Sequence, residues 1–500
     1  MNHRPDPVVT TAQGAVRGLR RSDGSAVFLN IPYAAPPRGA GRFAPPRPHA
    51  KWDGVRDATT PGPNAPQSPR DLGSLDMSPY FGDGWSRGED YLTVNVWAPA
   101  GAGGGLPVMV FVHGGGYVAG STRSALYDGA AFARDGVVLV TLNYRLGIAG
   151  FLDLPGAPAN RGLLDVVAAL GWVRENIAAF GGDPDRVTLF GQSAGATLVG
   201  GVLAAPEAAG LFRRAIVQSG SGLGAFTPEQ AARVTRAAAT ALGVEPRADA
   251  FADIGDERLV AAASRVTGID LRTETDRDPL LGLSPFGLVL ATQPAVSVAA
   301  GHGAGADLLI GTNAEEGNLY LAPVGRYTTS TAADVDAVAA RSHPDPARLV
   351  ETYRTARPKA SFGALRSAVM TDALFGAGSR ALAAAHASHA ARQGAVTFAY
   401  EFAWRSSALD ATLGAAHAME LPFVFDLAHL SRLRGPAALL GPDAPPEELA
   451  ARMHGSWVRF AATGSPGWDP YDTGRRTTMR IDAEWSPLDD PRRPEREVWA

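Results

Sequence analysis

The run Asp185-Arg-Val-Thr-Leu-Phe-Gly-Gln-Ser193-Ala-Gly195 sets a short apolar, β-branched stretch directly against Gly-X-Ser-X-Gly, and an Ala/Leu/Val-rich segment follows. This is a nucleophile elbow: glycines on both sides leave no Cβ in the way of a sharp strand-to-helix turn, so the Ser193 hydroxyl stands above the end of a sheet. A serine hydroxyl is a weak nucleophile until an imidazole takes its proton and an acid orients that imidazole. The chemistry is therefore that of a serine hydrolase, and a histidine and a carboxylate must lie downstream. Gly84-Trp-Ser86-Arg-Gly88 fits the same pattern, but no strand precedes it and Glu89-Asp90 lead into a strand rather than a helix, so context rejects Ser86.

His417, in Gly414-Ala-Ala-His-Ala-Met-Glu-Leu-Pro-Phe-Val-Phe425, occupies a loop after the last good strand and is the candidate base. Its bland alternative is a loop histidine bonded to Glu420. For the acid, Asp307-Leu-Leu-Ile-Gly-Thr-Asn-Ala-Glu-Glu-Gly317 ends a strand and opens a loop with two adjacent carboxylates, Glu315 and Glu316. Glu316 is preferred, and the chain order Ser193, Glu316, His417 is that of nucleophile, acid and base in α/β-hydrolases. Charge developing on a substrate carbonyl needs backbone N–H donors that no side chain obstructs. Gly115 and Gly116, with Ala194 after the nucleophile, are the candidates for such an oxyanion hole. His113, next to Gly114, is expected to shape that loop rather than act as a base. A phosphate cradle is the weaker reading of the glycine run, since the P-loop Lys and Ser/Thr are missing.

The elements that must position these residues alternate. Strand candidates lie at 92–97, 108–112, 137–143, 187–190, 215–218, 308–311 and 396–402, and helical spacing is clearest at 163–180, where Leu163, Val166, Val167, Leu170, Val173 and Ile177 recur. Strands alternating with helices predict an α/β fold with a mostly parallel central sheet covered on both faces. Residues 8–33 predict N-terminal antiparallel strands and residues 56–90 a long functional loop. Helical blocks at about 227–265 and 332–394 read as insertions over the carboxyl edge of the sheet, and 1–500 as a single catalytic domain.

The 500 residues are 45% hydrophobic and 19% charged with a net charge of −4, which makes no case for nucleic acid or an anionic membrane as partner. Of 46 basic residues only Lys51 and Lys359 are lysine, which reads as the codon bias of a GC-rich bacterial genome. There is no cysteine, so disulfides, thiolate metal sites and thiol catalysis are excluded. The opening residues hold no apolar run of signal-peptide length and no later stretch is long and uncharged enough to span a bilayer, so cytoplasmic residence is expected.

Further motifs carry a resemblance. Phe28-Leu-Asn-Ile-Pro-Tyr-Ala-Ala-Pro-Pro37, Glu89-Asp-Tyr-Leu-Thr-Val-Asn-Val-Trp97, His113-Gly-Gly-Gly-Tyr117, Asn143-Tyr-Arg-Leu-Gly147, Asn176-Ile-Ala-Ala-Phe-Gly-Gly-Asp-Pro184, Gly191–Gly195, Ile216-Val-Gln-Ser-Gly220, Glu316-Gly317 and His417–Phe425 stand in order along nearly the whole chain. Together they resemble the type-B carboxylesterase and cholinesterase-like family of α/β-hydrolases. The resemblance implies that Glu316 is the acid, that Ser219 is an auxiliary hydroxyl near it, and that Gly115, Gly116 and Ala194 form a three-donor oxyanion hole. It implies hydrolysis of a small-molecule carboxylic ester with no metal or organic cofactor, in a gorge lined by the 56–90 loop and the helical insertions. The family also holds members that kept the fold and lost the serine, so a binding module is the rival reading. An amidase, carbamate hydrolase or acyltransferase would use the same triad.

Two departures from the family matter. Tyr91 stands where many relatives have a disulfide-forming cysteine, so the 56–90 loop is unstapled and expected to be more mobile. Gln192 replaces a common glutamate, which removes a negative charge and argues against a cationic substrate. Tyr117, Leu281, Phe286, Phe375, Leu421 and Phe423 are candidates for apolar acyl or alcohol pockets favouring an uncharged, hydrophobic ester, although each also reads as core. Beyond a monomer or weak homo-oligomer the sequence specifies no assembly.

Overall fold

The computed structural model describes residues 5–101 and 103–500. Among the described residues fourteen strands run in chain order as β1 (Val8–Thr10), β2 (Ala15–Arg17), β3 (Leu19–Arg20), β4 (Ala26–Pro32), β5 (Val55–Asp57), β6 (Thr93–Ala98), β7 (Leu106–Val112), β8 (Val138–Leu142), β9 (Gly182–Gln192), β10 (Arg214–Gln218), β11 (Asp307–Asn313), β12 (Thr397–Phe402), β13 (Thr478–Ile481) and β14 (Ser486–Leu488). Eleven form one sheet in the order β14-β13-β12-β11-β10-β9-β7-β8-β6-β4-β3, and β1, β2 and β5 form a small separate one. From β8 through β7 and β9 to β13 every pairing is parallel, while β3, β4 and β6 on one side and β14 on the other pair antiparallel.

Inside β13 the parallel strands are buried on both faces along their apolar runs. In β7, Val108, Val110 and Val112 enter one core while Met109 and Phe111 enter the other, and β10 and β11 divide the same way at Ala215/Ile216/Val217 and Leu308/Leu309/Ile310. The helix Arg161–Asn176 covers the first face through Val166, Leu170 and Val173, and Glu447–Thr463 covers the second through Met453, Trp457 and Phe460.

The β8 and helix 161–176 segments are locked by a buried ion pair. Arg145 Nη2 lies 2.7 Å and Nε 2.9 Å from the two Asp165 carboxylate oxygens, with both side chains fully buried, and Arg145 Nη1 donates to Arg42 O and Ala44 O.

Residues 227–265 form the helices Pro228–Leu242, Ala248–Phe251 and Asp256–Arg265; residues 332–394 form Ala332–Ser342, Pro346–Ala356, Phe362–Thr371 and Ala377–Ala390. A π-helical turn at Asp372–Gly376 joins the last two and delivers Leu374 and Phe375 to the cleft described below. Helix Ala377–Ala390 is instead a crossover helix, with Leu382 and Ala383 in the core beneath β11 and β12. Polar side chains tie the 56–90 loop where a disulfide is lacking: Asn64 bonds Gly84 O and Ser86 N, and Gln67 bonds both the N–H and the C=O of Gly120. Among the described residues no helix is long and apolar enough to cross a membrane.

Candidate active site

Strand β9 ends at Gln192 and the helix Ala194–Leu203 begins one residue later, leaving Ser193 alone at the turn with φ 58° and ψ −125°. The strain is carried by the serine itself. The flanking glycines serve close packing: a Cβ on Gly195 would lie 2.1 Å from Val112 O, and one on Gly191 would lie 2.7 Å from the Gly195 backbone. Ser193 N is fixed by a 2.9 Å bond to Gln218 O at the end of β10.

The next two strands bring the other groups to the same edge. Glu316 follows β11 and is fully buried, and His417 is 3% exposed. Glu316 Oε2 lies 2.6 Å from His417 Nδ1, and Oε1 accepts from Ser219 Oγ at 2.6 Å and from the Asn313 N–H at 2.6 Å. Three donors converge on the one carboxylate and direct it at the imidazole. Glu315 turns the other way, pairing with Arg405 and accepting from Ala415 N. Glu420 does not bond His417. It accepts from Asn313 Nδ2 at 2.7 Å and Gln218 Nε2 at 3.3 Å, and burial, reinforced by the charge of Glu316, pushes its carboxyl up to about 7.

Gly115 and Gly116 carry φ values of 111° and 63°, a region that favours glycine, and a Cβ on Gly115 would lie 2.1 Å from Ala119 O. Their amides donate to no backbone carbonyl among the described residues. As the first residue of its helix Ala194 has no intrahelical acceptor either. His113 supports this loop from below. It is stacked on Tyr144 at 4.5 Å, bonds Gly114 O at 2.8 Å through Nδ1, and is held neutral by burial, which lowers it to about 4. Ser284 Oγ adds a 2.6 Å bond to Gly116 O.

Ser193, His417, Gly115, Gly116 and Ala194 open onto one cleft of about 800 Å³. Tyr117 and Phe375 line it, and the Phe375 ring lies parallel to the His417 imidazole. Four of the proposed pocket residues do not line it. Leu421 and Phe423 are fully buried, because the chain after His417 turns into the short helix Leu421–Val424 and packs them into the core, where Phe423 meets Phe402 and Trp404. Phe286 is in the core of the other face. Leu281, at φ 51°, packs beside the cleft while its neighbours Leu280 and Leu283 line it.

Leu72, Met77, Tyr80 and Phe81 of the 56–90 loop, with Leu319, Tyr320 and Leu374, also line the cleft together with Arg70, although the motifs single out none of them. The signal for the first group was the length of that loop; for Tyr320, its place four residues after Glu316.

A family model described as the carboxylesterase family matches residues 5–498. The chain belongs to the carboxylesterase family. This carboxylesterase is 36% identical over 503 residues to the para-nitrobenzyl esterase of Bacillus subtilis (strain 168), covering 98% of each chain. It is 35% identical over 469 residues to the phenmedipham hydrolase of Pseudarthrobacter oxydans, covering 93% of this chain and 91% of that one. Among solved structures, the carboxylesterase of Geobacillus stearothermophilus superposes with a TM-score of 0.83 at 36% identity, over 99% of this chain and 100% of that one. The sheet described above is thus that of an α/β-hydrolase, and the protein is a serine carboxylesterase.

Proposed function

We propose that Ser193 is the nucleophile, His417 the general base and Glu316 the acid that orients it, in hydrolysis of hydrophobic, uncharged carboxylic esters through an acyl-serine intermediate. The observation that carries this reading is the 2.6 Å contact of a fully buried Glu316 with Nδ1 of His417, which lines a cleft that also contains the elbow serine.

With Nδ1–H given to Glu316, Nε2 keeps its lone pair and accepts the Ser193 proton as Oγ attacks the carbonyl. The amides of Gly115, Gly116 and Ala194 receive the oxyanion. The resulting imidazolium, stabilised by Glu316, returns its proton to the leaving alcohol, and water activated by the same nitrogen releases the acid. Ser219 acts one step back by holding the second oxygen of Glu316. The wall of Leu72, Met77, Phe81, Leu283, Leu319 and Phe375 supports an apolar substrate.

Turnover of p-nitrophenyl esters from acetate to long acyl chains, beside the matched p-nitroanilides, tests the reading. Ester turnover with little anilide turnover is expected. Equal rates on both, or none on any ester, would overturn it.

A further inference from the structure

His417 Nε2 has a partner that the triad scheme does not use. Gln192 Nε2 lies 3.3 Å from it, and Gln192 Oε1 accepts from the Tyr80 hydroxyl at 2.6 Å. Gln192 is fully buried at the end of β9 and Tyr80 is 3% exposed, so neither bond competes with bulk water. Among the described residues Ser193 Oγ makes no hydrogen bond, so the nitrogen that must receive its proton is occupied by an amide instead.

We propose that Gln192, anchored by Tyr80, is a positioning residue that holds the unprotonated Nε2 of His417 until an ester occupies the cleft. This rests on His417 being the base.

An amide N–H can bond Nε2 only while that nitrogen carries a lone pair, which fixes the neutral ring with its hydrogen on Nδ1, facing Glu316. A protonated ring would set N–H against N–H. The anchor decides which end of the amide faces the ring, because a phenol donating to Oε1 leaves the NH2 pointing at His417. When Ser193 gives up its proton the amide must release the ring or turn its oxygen toward it. Turning the oxygen inward breaks the bond that Tyr80 donates to it, so the anchor opposes that turn until the base is needed. Tyr80 belongs to the 56–90 loop and lines the cleft, so a substrate that touches the loop also touches the anchor of the base.

The other ionisable groups around His417 stay the same in the variants below: Glu316 on Nδ1, Glu420 near the loop end, and Tyr320 with its ring 5.9 Å away, while Phe375 covers one face without charge. Arg70 lines the same cleft.

The test is the pH dependence of kcat/KM on p-nitrophenyl acetate for wild type, Gln192→Glu and Tyr80→Phe. A carboxylate in place of the donor amide favours the protonated ring, so the acidic limb of Gln192→Glu moves to higher pH by about one unit or more. Tyr80→Phe frees the amide to turn its oxygen inward, so its limb moves the same way by less, and kcat falls more than KM rises. Limbs that superimpose on wild type in both variants would overturn the inference while leaving the esterase reading intact; loss of ester turnover in the wild type would remove the reading beneath it. Should Gln192→Glu fail to fold, Gln192→Met, which cannot donate, carries the same expected direction and the same contradiction.

Discussion

The Phe375 ring lies flat on the His417 imidazole, with centroids 4.3 Å apart and planes 8° from parallel. Phe375 comes from a π-helical turn, and such turns place a side chain where a regular helix would not. The stack closes one face of the imidazole, so the ring is held between Phe375 and its bonds to Glu316 and Gln192.

Phe375→Ala should therefore lower kcat/KM by about tenfold, the equivalent of roughly 1.4 kcal/mol and within the range of one aromatic stack. Phe375→Tyr should retain most of the activity. Steady-state kinetics on a short p-nitrophenyl ester checks both, and an alanine variant as active as wild type would show that the stack is passive.

Ser219→Ala removes one of the three donors on Glu316 and leaves the Asn313 N–H and the imidazole in place. A hydrogen bond to a charged group is worth about 1.5–3 kcal/mol, so kcat should drop by about ten- to a hundredfold. KM should stay nearly constant, because Ser219 does not line the cleft.

Asp165→Ala leaves Arg145 charged and fully buried without its counterion. Removing one partner of such a pair costs about 3–5 kcal/mol, to be read from denaturant unfolding. The pair lies apart from the catalytic cleft, so kcat per folded molecule at low temperature should be nearly unchanged.

The fold class was legible in the sequence because the parallel strands are buried on both faces and therefore read as continuous apolar runs. All seven strand candidates correspond to β6 through β12, and the helix expected at 163–180 spans Arg161–Asn176 with a 3-10 turn after it. β5, β13 and β14 escaped notice because each has only three or four residues, few of them apolar, held by pairing to a neighbour rather than by burial. Ser193 and Glu316 were legible because each lies within three residues of a strand end, which fixes position, whereas His417 stands on a loop 15 residues after β12 and was legible from its place after the last good strand. The pocket wall was not. Whether Leu421 faces a cleft or a core depends on the short helix after His417, and the left-handed backbone of Leu281 sets it beside the cleft while Leu280 lines it. Nor does any spacing place Tyr80 over Gln192, more than a hundred residues away.

Acid should weaken the fold through His386. Its Nδ1 faces Thr397 Oγ1 at 2.8 Å and its Nε2 faces Ala306 O at 2.9 Å, and burial lowers the ring from 6.5 to about 4. The unfolded chain takes up a proton below pH 6.5 that the native ring refuses. Stability from this group is thus complete above pH 6.5 and is lost as pH falls toward 4, by about 3 kcal/mol at most. Urea unfolding of wild type and His386→Asn across pH 4 to 7 checks this: the variant should be less stable at pH 7 but show a shallower decline on acidification.

The central claim is that Ser193 forms the covalent intermediate. The most direct measurement is intact-mass analysis after treatment with a fluorophosphonate, run on wild type and Ser193→Ala beside p-nitrophenyl acetate hydrolysis. Wild type should gain the mass of one phosphonyl group, mapped to Ser193, and lose its activity in step. The alanine variant, folded to the same melting temperature, should gain none and be slower by about 10⁴-fold or more. Undiminished hydrolysis by Ser193→Ala, or labelling of the wild type at a different residue, would contradict the account.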